Sequence, residues 1–253
     1  MLTHPDFHSP DCLSQDTQDQ DFLQSKWCLE NIFSQAKTHS KHLTEVERMK
    51  WFPLLASLAF AESTSIVGLS YRISTATELR LKTFLQSHLS DERKHALGFE
   101  RLFTYLYPSK VNDKLLKVSQ RQIIRYFANM RRIQSLSEWL VATYVVEVFG
   151  KVCMEEALSG VSGEPITHSF LHNVLSDEAR HTSYLSRIIS EHNEDLSPRE
   201  MAQFNYHLER MLDLCSSMFL ADDTPLAKCL DEMQVNTFAF CQTAEAEILS
   251  SVH

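Results

Sequence analysis

"LSDERKH" spans Leu89–His95 and "LSDEARH" spans Leu175–His181, 86 positions apart. Each copy sets a Glu and a His three residues apart, Glu92 with His95 and Glu178 with His181. Three residues of α-helix turn by about 300°, so the two side chains leave one face, one turn apart. A carboxylate and an imidazole so placed can grip one metal ion. A single Glu-x-x-His is a weak signal, because Glu is common on solvated helix faces. Repetition of the preceding Leu-Ser-Asp strengthens it.

Each motif also has a lone Glu upstream in an apolar stretch. Glu62 sits in "LLASLAFAESTSIVGL" and Glu147 in "WLVATYVVEVFG". A buried carboxylate without a partner costs several kcal/mol, so such residues need a reason. Glu62 precedes Glu92 by 30 residues and Glu147 precedes Glu178 by 31. Two helical hairpins therefore present the same ligand set in the same order, as two half-sites closing on one centre.

Composition agrees with a helical chain. The sequence has 253 residues, 43% hydrophobic, with only 5 Gly and 7 Pro. That length can bury a core without disulfides, and scarce Gly disfavours glycine-loop folds. Net charge is −9 without a basic cluster, which argues against nucleic acid or an anionic membrane surface as partner. The six cysteines lie far apart with no Cys-x-x-Cys, the pattern of free thiols in a reducing compartment, so a cytoplasmic location is expected. No signal peptide and no uninterrupted apolar run of membrane length is read.

Residues 1–20 read as a flexible tail and 21–253 as one helical domain, with a metal-binding bundle over about 44–193. Helices are expected over 22–40, 44–73, 76–107, 112–132, 136–159, 165–193, 198–219 and 225–250. Capping boxes begin three of them, at Thr44–Glu47, Thr75–Glu78 and Ser135–Glu138. Ser197-Pro198-Arg199-Glu200 and Thr224-Pro225 start two more, and Pro53 is expected to kink or restart the second. Pro108, Ser162-Gly163 and "NEDLSP" read as breaks.

A Glu from each of two helices, with Glu-x-x-His from each of two others, is the arrangement of the ferritin-like di-iron or di-manganese carboxylate proteins. Through Glu62, Glu92, His95, Glu147, Glu178 and His181 the sequence resembles that superfamily over roughly residues 44–193. The resemblance implies an all-α, ferritin-like four-helix bundle with additional helices. It implies that Glu92 and Glu178 bridge two metals, that Glu62 pairs with His95, and that Glu147 pairs with His181. "DEARH" at 177–181 is similar to the second-half motif of bacterial di-iron oxygenases, including multicomponent monooxygenases and fatty-acyl desaturases. There the Asp supports a ligand His, which assigns Asp91 and Asp177 that role; a metal-bound imidazole needs an acceptor for its other N–H.

His88 stands four residues before Glu92 and about 20° from His95 around the helix. The p-aminobenzoate N-oxygenase family carries an extra His at this offset, but in its second half, where this chain has Val174. His88 is therefore a candidate seventh ligand, the alternative being a packed or supporting His. Gly150 can leave room beside the metals. Tyr144, Trp139, Phe99, Phe103 and Tyr184 read as core.

The resemblance implies two iron ions, with manganese as an alternative, and O2 as co-substrate. The implied activity is an oxygenase or oxidase (hydroxylation, N-oxygenation or desaturation) on a small-molecule or carrier-bound substrate. An external donor of reductase or ferredoxin type would supply electrons, no catalytic residue beyond the metal ligands is singled out, and a homodimer stays open. The competing reading is a ferritin- or rubrerythrin-like ferroxidase or peroxidase. The helices beyond one four-helix unit and the missing Cys-x-x-Cys count against it.

Overall fold

The computed structural model describes residues 25, 27–34, 44–107, 121–161, 163–194, 196–220, 225–232 and 234–252. The expected tail, most of helix 22–40, the start of helix 112–132, Pro108 and Thr224 lie outside them. The described residues are helical and contain no strand. In chain order the helices are α1 Leu29–Phe33, α2 Glu45–Thr75, α3 Leu79–Leu106, α4 Arg121–Met130, α5 Leu136–Gly160, α6 Pro165–Asn193, α7 Pro198–Leu220, α8 Pro225–Glu232 and α9 Thr237–Val252.

Two hairpins form the centre: α2 lies on α3, and α5 on α6. Connections of only three or four residues make each pair antiparallel neighbours. The hairpins meet through α3 and α6. Their buried stripes run in the same register. On α3 the stripe includes Phe84, Leu85, His88, Asp91, Glu92, His95, Gly98 and Phe99. On α6 it includes Phe170, Leu171, Val174, Asp177, Glu178, His181, Tyr184 and Leu185. These are the same steps 86 residues later, at the i, i+3, i+4 spacing that buries one helix face. The remaining helices cover the bundle: α7 and α9 pack on α5, α8 on α2, and α4 between α2 and α7.

Several starts match the capping signals. Ser135 Oγ accepts from Glu138 N at 3.4 Å. Glu200 Oε2 accepts from Ser197 N at 2.9 Å while Ser197 Oγ accepts from Glu200 N, a closed capping box. Before α6 the N-cap is Glu164, which accepts from Ile166 N and Thr167 N, with Pro165 in the first turn. The β-branched "WLVATYVVEVF" lies wholly inside α5.

Three expectations are corrected. Thr75 does not cap α3: it is the last residue of α2, its hydroxyl donates to the carbonyls of Tyr71 and Arg72, and α3 begins after Glu78. The helix does not restart at Pro53 but continues through it, where buried Phe52, Leu54 and Leu55 hold it by packing. The expected helix 225–250 is two helices, because Gln234 adopts φ 62° and Asn236 Oδ1 accepts from Ala239 N to start α9.

By length and composition alone, Arg48–Thr75 would be long and apolar enough to cross a membrane. In the fold its residues pack against α3, α4 and α8. The expected core aromatics behave as expected: Tyr144, Trp139, Phe99 and Tyr184 are buried and Phe103 packs against the core.

Gly98 permits the close approach of α3 to α6. A Cβ there would collide with the Phe170 ring and stand 2.9 Å from Leu29 Cδ2. Gly150, in contrast, has open space around its would-be Cβ. Gly98→Ala should therefore destabilise the protein by about 1–3 kcal/mol through overpacking. Gly150→Ala should stabilise it by roughly 0.5–1 kcal/mol through helix propensity. Denaturant midpoints of the two variants check this, and equal shifts would contradict the packing argument.

Candidate metal centre

Each hairpin contributes one helix with a lone Glu and one with the Glu-x-x-His. All six side chains are buried, Glu62 and Glu147 being the most accessible at 7% and 8%. The structure brings them together with His88 in two groups that could each hold a metal ion. One group is Glu62, Glu92, His95 and Glu178; the other is His88, Glu92, Glu147 and His181. Within each group the donor atoms lie within 4.8 Å of one another.

Glu92 belongs to both groups. Glu178 also faces both ways, its Oε1 3.3 Å from His95 Nδ1 and its Oε2 3.3 Å from His181 Nδ1. Glu62 Oε2 is 3.1 Å from His95 Nδ1, and Glu147 Oε2 is 3.8 Å from His181 Nδ1. Thus the lone Glu of each hairpin meets the His of its own hairpin. His88 Nε2 is 3.1 Å from Glu92 Oε1 and 3.2 Å from Glu147 Oε1. His172, by contrast, is exposed.

The outer nitrogens follow a crossed pattern. His95 Nε2 lies 3.1 Å from Asp177 Oδ2, and His181 Nε2 lies 3.4 Å from Asp91 Oδ2. Each Asp thus supports the imidazole of the other half. An ionised carboxylate only accepts, so each Asp holds a proton on Nε2 and leaves Nδ1, which faces the carboxylates, as the nitrogen a metal would take in exchange for its proton. His88 differs: its Nε2 faces the cluster and its buried Nδ1 has no hydrogen-bond partner among the described residues.

Two cations tie the crossed aspartates together. Lys94 Nζ donates to Asp91 Oδ1 at 3.2 Å and Asp177 Oδ2 at 3.1 Å. Arg180 Nη2 donates to Asp91 Oδ2 at 2.8 Å and Asp177 Oδ1 at 3.1 Å. Trp27 Nε1 and Ser25 Oγ each donate to Asp177 Oδ2 at 2.9 Å. The Trp27 ring lies parallel to His95 at 6.1 Å, with Lys94 Nζ 4.2 Å from its centre. On the inner side, Ser65 Oγ donates to Glu92 Oε2 at 2.5 Å.

None of Ser25, Trp27, Ser65, Lys94 or Arg180 was singled out from sequence. A signal existed for two. Lys94 and Arg180 occupy the same place in the repeated heptapeptide, one residue before each His. Ser25 and Trp27 lie in a segment read only as helix, and nothing local tied them to the site.

The electrostatics follow from burial and mutual contact. Burial pushes Asp91 up, but the hydrogen bond and charge of His181, with Arg180, outweigh it and hold the carboxyl well below the usual range. Asp177 is held down in the same way by His95 and Lys94. Burial alone would lower His95 and His181. The charges of Glu62 and Glu178 respectively, with the surrounding carboxylate bonds, raise both well above 6.5. Glu62 is raised well above 4.5 by burial and by the Glu92 charge.

Beside the cluster lies an apolar cavity of about 370 Å³ whose wall includes Ser65 and Glu147. A smaller space of about 40 Å³ has Glu62, Glu92, Glu147 and Glu178 in its wall, with Gly150. The two share Ser65, Phe127, Val146 and Glu147. Gly150 therefore does leave room beside the ligand candidates.

The sequence matches no family model and no curated protein. Solved structures do match. A variant R2-like ligand-binding oxidase with an aerobically reconstituted Mn/Fe cofactor is 16% identical, covers 93% of this chain and 89% of its own, and superposes with a TM-score of 0.67. The R2-like ligand-binding oxidase from Sulfolobus acidocaldarius is 15% identical, with 93% and 88% covered and a TM-score of 0.65. Another variant of such an oxidase, with an Fe/Fe cofactor, is 15% identical, with 93% and 91% covered and a TM-score of 0.60. The likeness establishes the fold: this chain has the ferritin-like helical bundle of the R2-like oxidases.

The charge pattern predicts the pH behaviour of the metal-free protein. Asp91, Asp177, Glu92 and Glu178 are depressed in the fold, so their stabilisation is present above about pH 4.5 and is lost as pH falls. His95 and His181 are raised, so theirs is complete below about pH 6.5 and is lost as pH rises through their folded values. Glu62, also raised, loses its share as pH rises from about 4.5 through its folded value, which draws the maximum toward the acid end of that range. Melting temperature should therefore peak between about pH 4.5 and 6.5. Asp177→Asn should flatten both sides of the curve. A melting temperature still rising toward pH 9 would contradict this electrostatic account.

Proposed function

We propose that this chain holds two metal ions and uses them for O2-dependent oxidation of a small organic substrate. The ligands would be Glu62, Glu92, His95, Glu147, Glu178 and His181, with His88 as a seventh. One observation carries the reading: two buried four-donor groups share Glu92 and border an apolar cavity at Glu147.

The donor set fits the group. Four carboxylates and three imidazoles without a thiolate suit Fe(II) and Mn(II). The inward lone pairs of His95 and His181, fixed by Asp177 and Asp91, are what ligands to such ions require. Two iron ions, or a mixed iron–manganese pair as in the oxidases of the same fold, supply the electrons that reduce O2. The chain's residues do the rest. Glu92 and Glu178 face both metal positions, and Lys94 and Arg180 hold the supporting aspartates. Val146, Phe127 and their neighbours keep the cavity apolar, while the space at Gly150 gives a small molecule access beside the carboxylates.

An apolar cavity against the ligands favours an organic substrate over iron storage, which requires a polar path for ions. The outcome is a hydroxylation, an N-oxygenation or a desaturation, and turnover draws on an external donor of reductase or ferredoxin type. The five described cysteines form no disulfide with one another, which suits work in the reducing cytoplasm.

The test is anaerobic loading with Fe(II) followed by O2. Rapid O2 uptake with a transient visible absorption is expected, and Gly150→Phe should slow it while leaving metal content unchanged. Glu147→Ala and His181→Ala should bind less metal. His88→Ala should keep two ions but alter the absorption after O2. An unaltered spectrum and unaltered uptake would assign His88 to packing alone. No O2 uptake by the fully loaded wild-type protein would remove the oxidase reading.

A further inference from the structure

The chain was expected to have no basic cluster, and α4 is the exception. Residues 121–132, "RQIIRYFANMRR", carry four arginines and no carboxylate in a chain of net charge −9. The helix has two distinct faces. Ile123, Tyr126, Phe127 and Met130 are buried, at the i, i+3, i+4, i+7 spacing of one helix face. Arg121, Ile124, Arg125 and Ala128 have the same spacing and are exposed, Ile124 at 49%. Arg131 and Arg132, in the turn after α4, are exposed as well. Exposed Arg210 of α7 joins them, donating to Asn129 Oδ1 at 2.7 Å. Among the described residues none of the four arginines of 121–132 forms an ion pair.

Five guanidinium groups on one ridge repel one another, and an anionic partner relieves that repulsion. The inner face of α4 shows what lies behind them. Phe127 and Met130 wall the 370 Å³ cavity, and Phe127 also walls the 40 Å³ space bordered by Glu62, Glu92, Glu147 and Glu178. One helix, about 10–12 Å thick with its side chains, therefore stands between the arginines and the carboxylate cluster. The ten residues of α4 give a ridge about 15 Å long. A face of that size suits a weak, transient encounter of the electron-transfer kind, which buries less than about 1,200 Å² in total, and not a stable complex.

We infer that the outer face of α4 is the docking surface for an acidic, ferredoxin-like electron donor, held by Arg121, Arg125, Arg131 and Arg132 around the apolar spot at Ile124 and Ala128. Charge complementarity selects the occupant. The guanidinium groups pair with carboxylates on the partner's surface and steer its approach, and the small contact lets it leave. Each encounter passes one electron inward and leaves the partner's iron–sulfur cluster oxidised by one electron. In a hydroxylation O2 takes two electrons from the substrate's C–H bond and two from the donor, and with two protons one oxygen atom leaves as water. Two encounters therefore serve one turnover. A nucleic acid or an anionic membrane suits the face less well. The net charge of −9 opposes an extended polyanion, and Ile124 is the one large apolar side chain that described α4 offers to lipid. The electron transfer rests on the oxidase reading; the docking does not.

Calorimetry with an acidic plant-type ferredoxin, in its oxidised form, tests the docking on the full-length protein, metal-free and iron-loaded. Binding should be about tenfold tighter or more at about 20 mM than at about 300 mM salt, with metal or without. The double variant Arg121→Glu/Arg125→Glu should weaken it at low salt by about tenfold or more, with metal content and melting temperature kept. Arg199→Glu/Lys228→Glu makes the same charge change on α7 and α8 and should leave binding nearly unchanged. Stopped-flow oxidation of the reduced ferredoxin by the oxidised iron-loaded protein, without O2, should follow the same order, while reduction by dithionite is alike in all three proteins. Absence of ferredoxin binding by the wild-type protein overturns the proposal. So does equal binding by the wild type and the α4 variant, equal weakening in both double variants, or tighter binding of phosphatidylserine vesicles or duplex DNA than of ferredoxin. Ferredoxin binding at α4 by a protein that takes up no O2 when iron-loaded would overturn the oxidase reading and leave the docking face standing. O2 uptake without ferredoxin binding would do the reverse.

Discussion

Four carboxylates share the interior of this bundle, and their mutual repulsion is the constraint around which the structure is arranged. Glu62, Glu92, Glu147 and Glu178 all lie below 10% exposure, away from the water that would screen them. Two responses are visible. One is proton redistribution: burial and the Glu92 charge raise Glu62, while the hydrogen bond from His88 outweighs burial to lower Glu92. The other is placement of imidazole nitrogens, from His88, His95 and His181, in contact with carboxylate oxygens. A pair of divalent cations answers the same repulsion more completely, because it matches four negative charges without leaving any ligand protonated.

The fold meets that constraint twice over. A shift of 86 residues carries the buried face of α3 onto that of α6, so Asp91, Glu92 and His95 become Asp177, Glu178 and His181. The aspartates cross over, each supporting the other half's histidine, and Lys94 and Arg180 each hold both aspartates. This outer ring ties α3 to α6 at the level of the two donor groups and fixes the orientation of His95 and His181. The symmetry breaks at two places. His88 corresponds to Val174, so only the donor group with Glu147 and His181 contains an extra imidazole. Gly98 corresponds to Tyr184: Tyr184 stacks on Phe84 at 3.9 Å, whereas Phe170 and Leu29 fill the space that a side chain at 98 would need. The segment at Trp27 then reaches Asp177, with no counterpart at Asp91 among the described residues. The two donor groups are thus inequivalent both in their own residues and in what surrounds them.

Much of this was legible in the chain because the ligands obey local rules. Glu-x-x-His is a within-helix spacing, and a lone Glu in an apolar helix advertises burial. The aspartate role follows from the needs of imidazole. Long helices with Ser135 or Ser197 at their starts fell close to their expected bounds. What stayed hidden depends on tertiary placement. Trp27 meets Asp177 across 150 residues, and Arg72 meets Ile133 across 61. Thr75 bore a capping pattern, yet its hydroxyl was already satisfied by its own helix. The break at Gln234 needed a left-handed residue that was not Gly. Lys94 and Arg180 were readable in principle: the repeat displayed them, but as surface charges rather than as a clamp.

The central claim is that the two donor groups are one two-metal centre. Anomalous diffraction from crystals of the Fe(II)-loaded protein tests it directly. The account predicts two iron peaks per chain, about 3.5–4 Å apart. One should lie among Glu62, Glu92, His95 and Glu178, and the other among His88, Glu92, Glu147 and His181, with Glu92 and Glu178 between them. A single peak, or iron bound elsewhere with these carboxylates protonated and bonded only to the histidines, would contradict it.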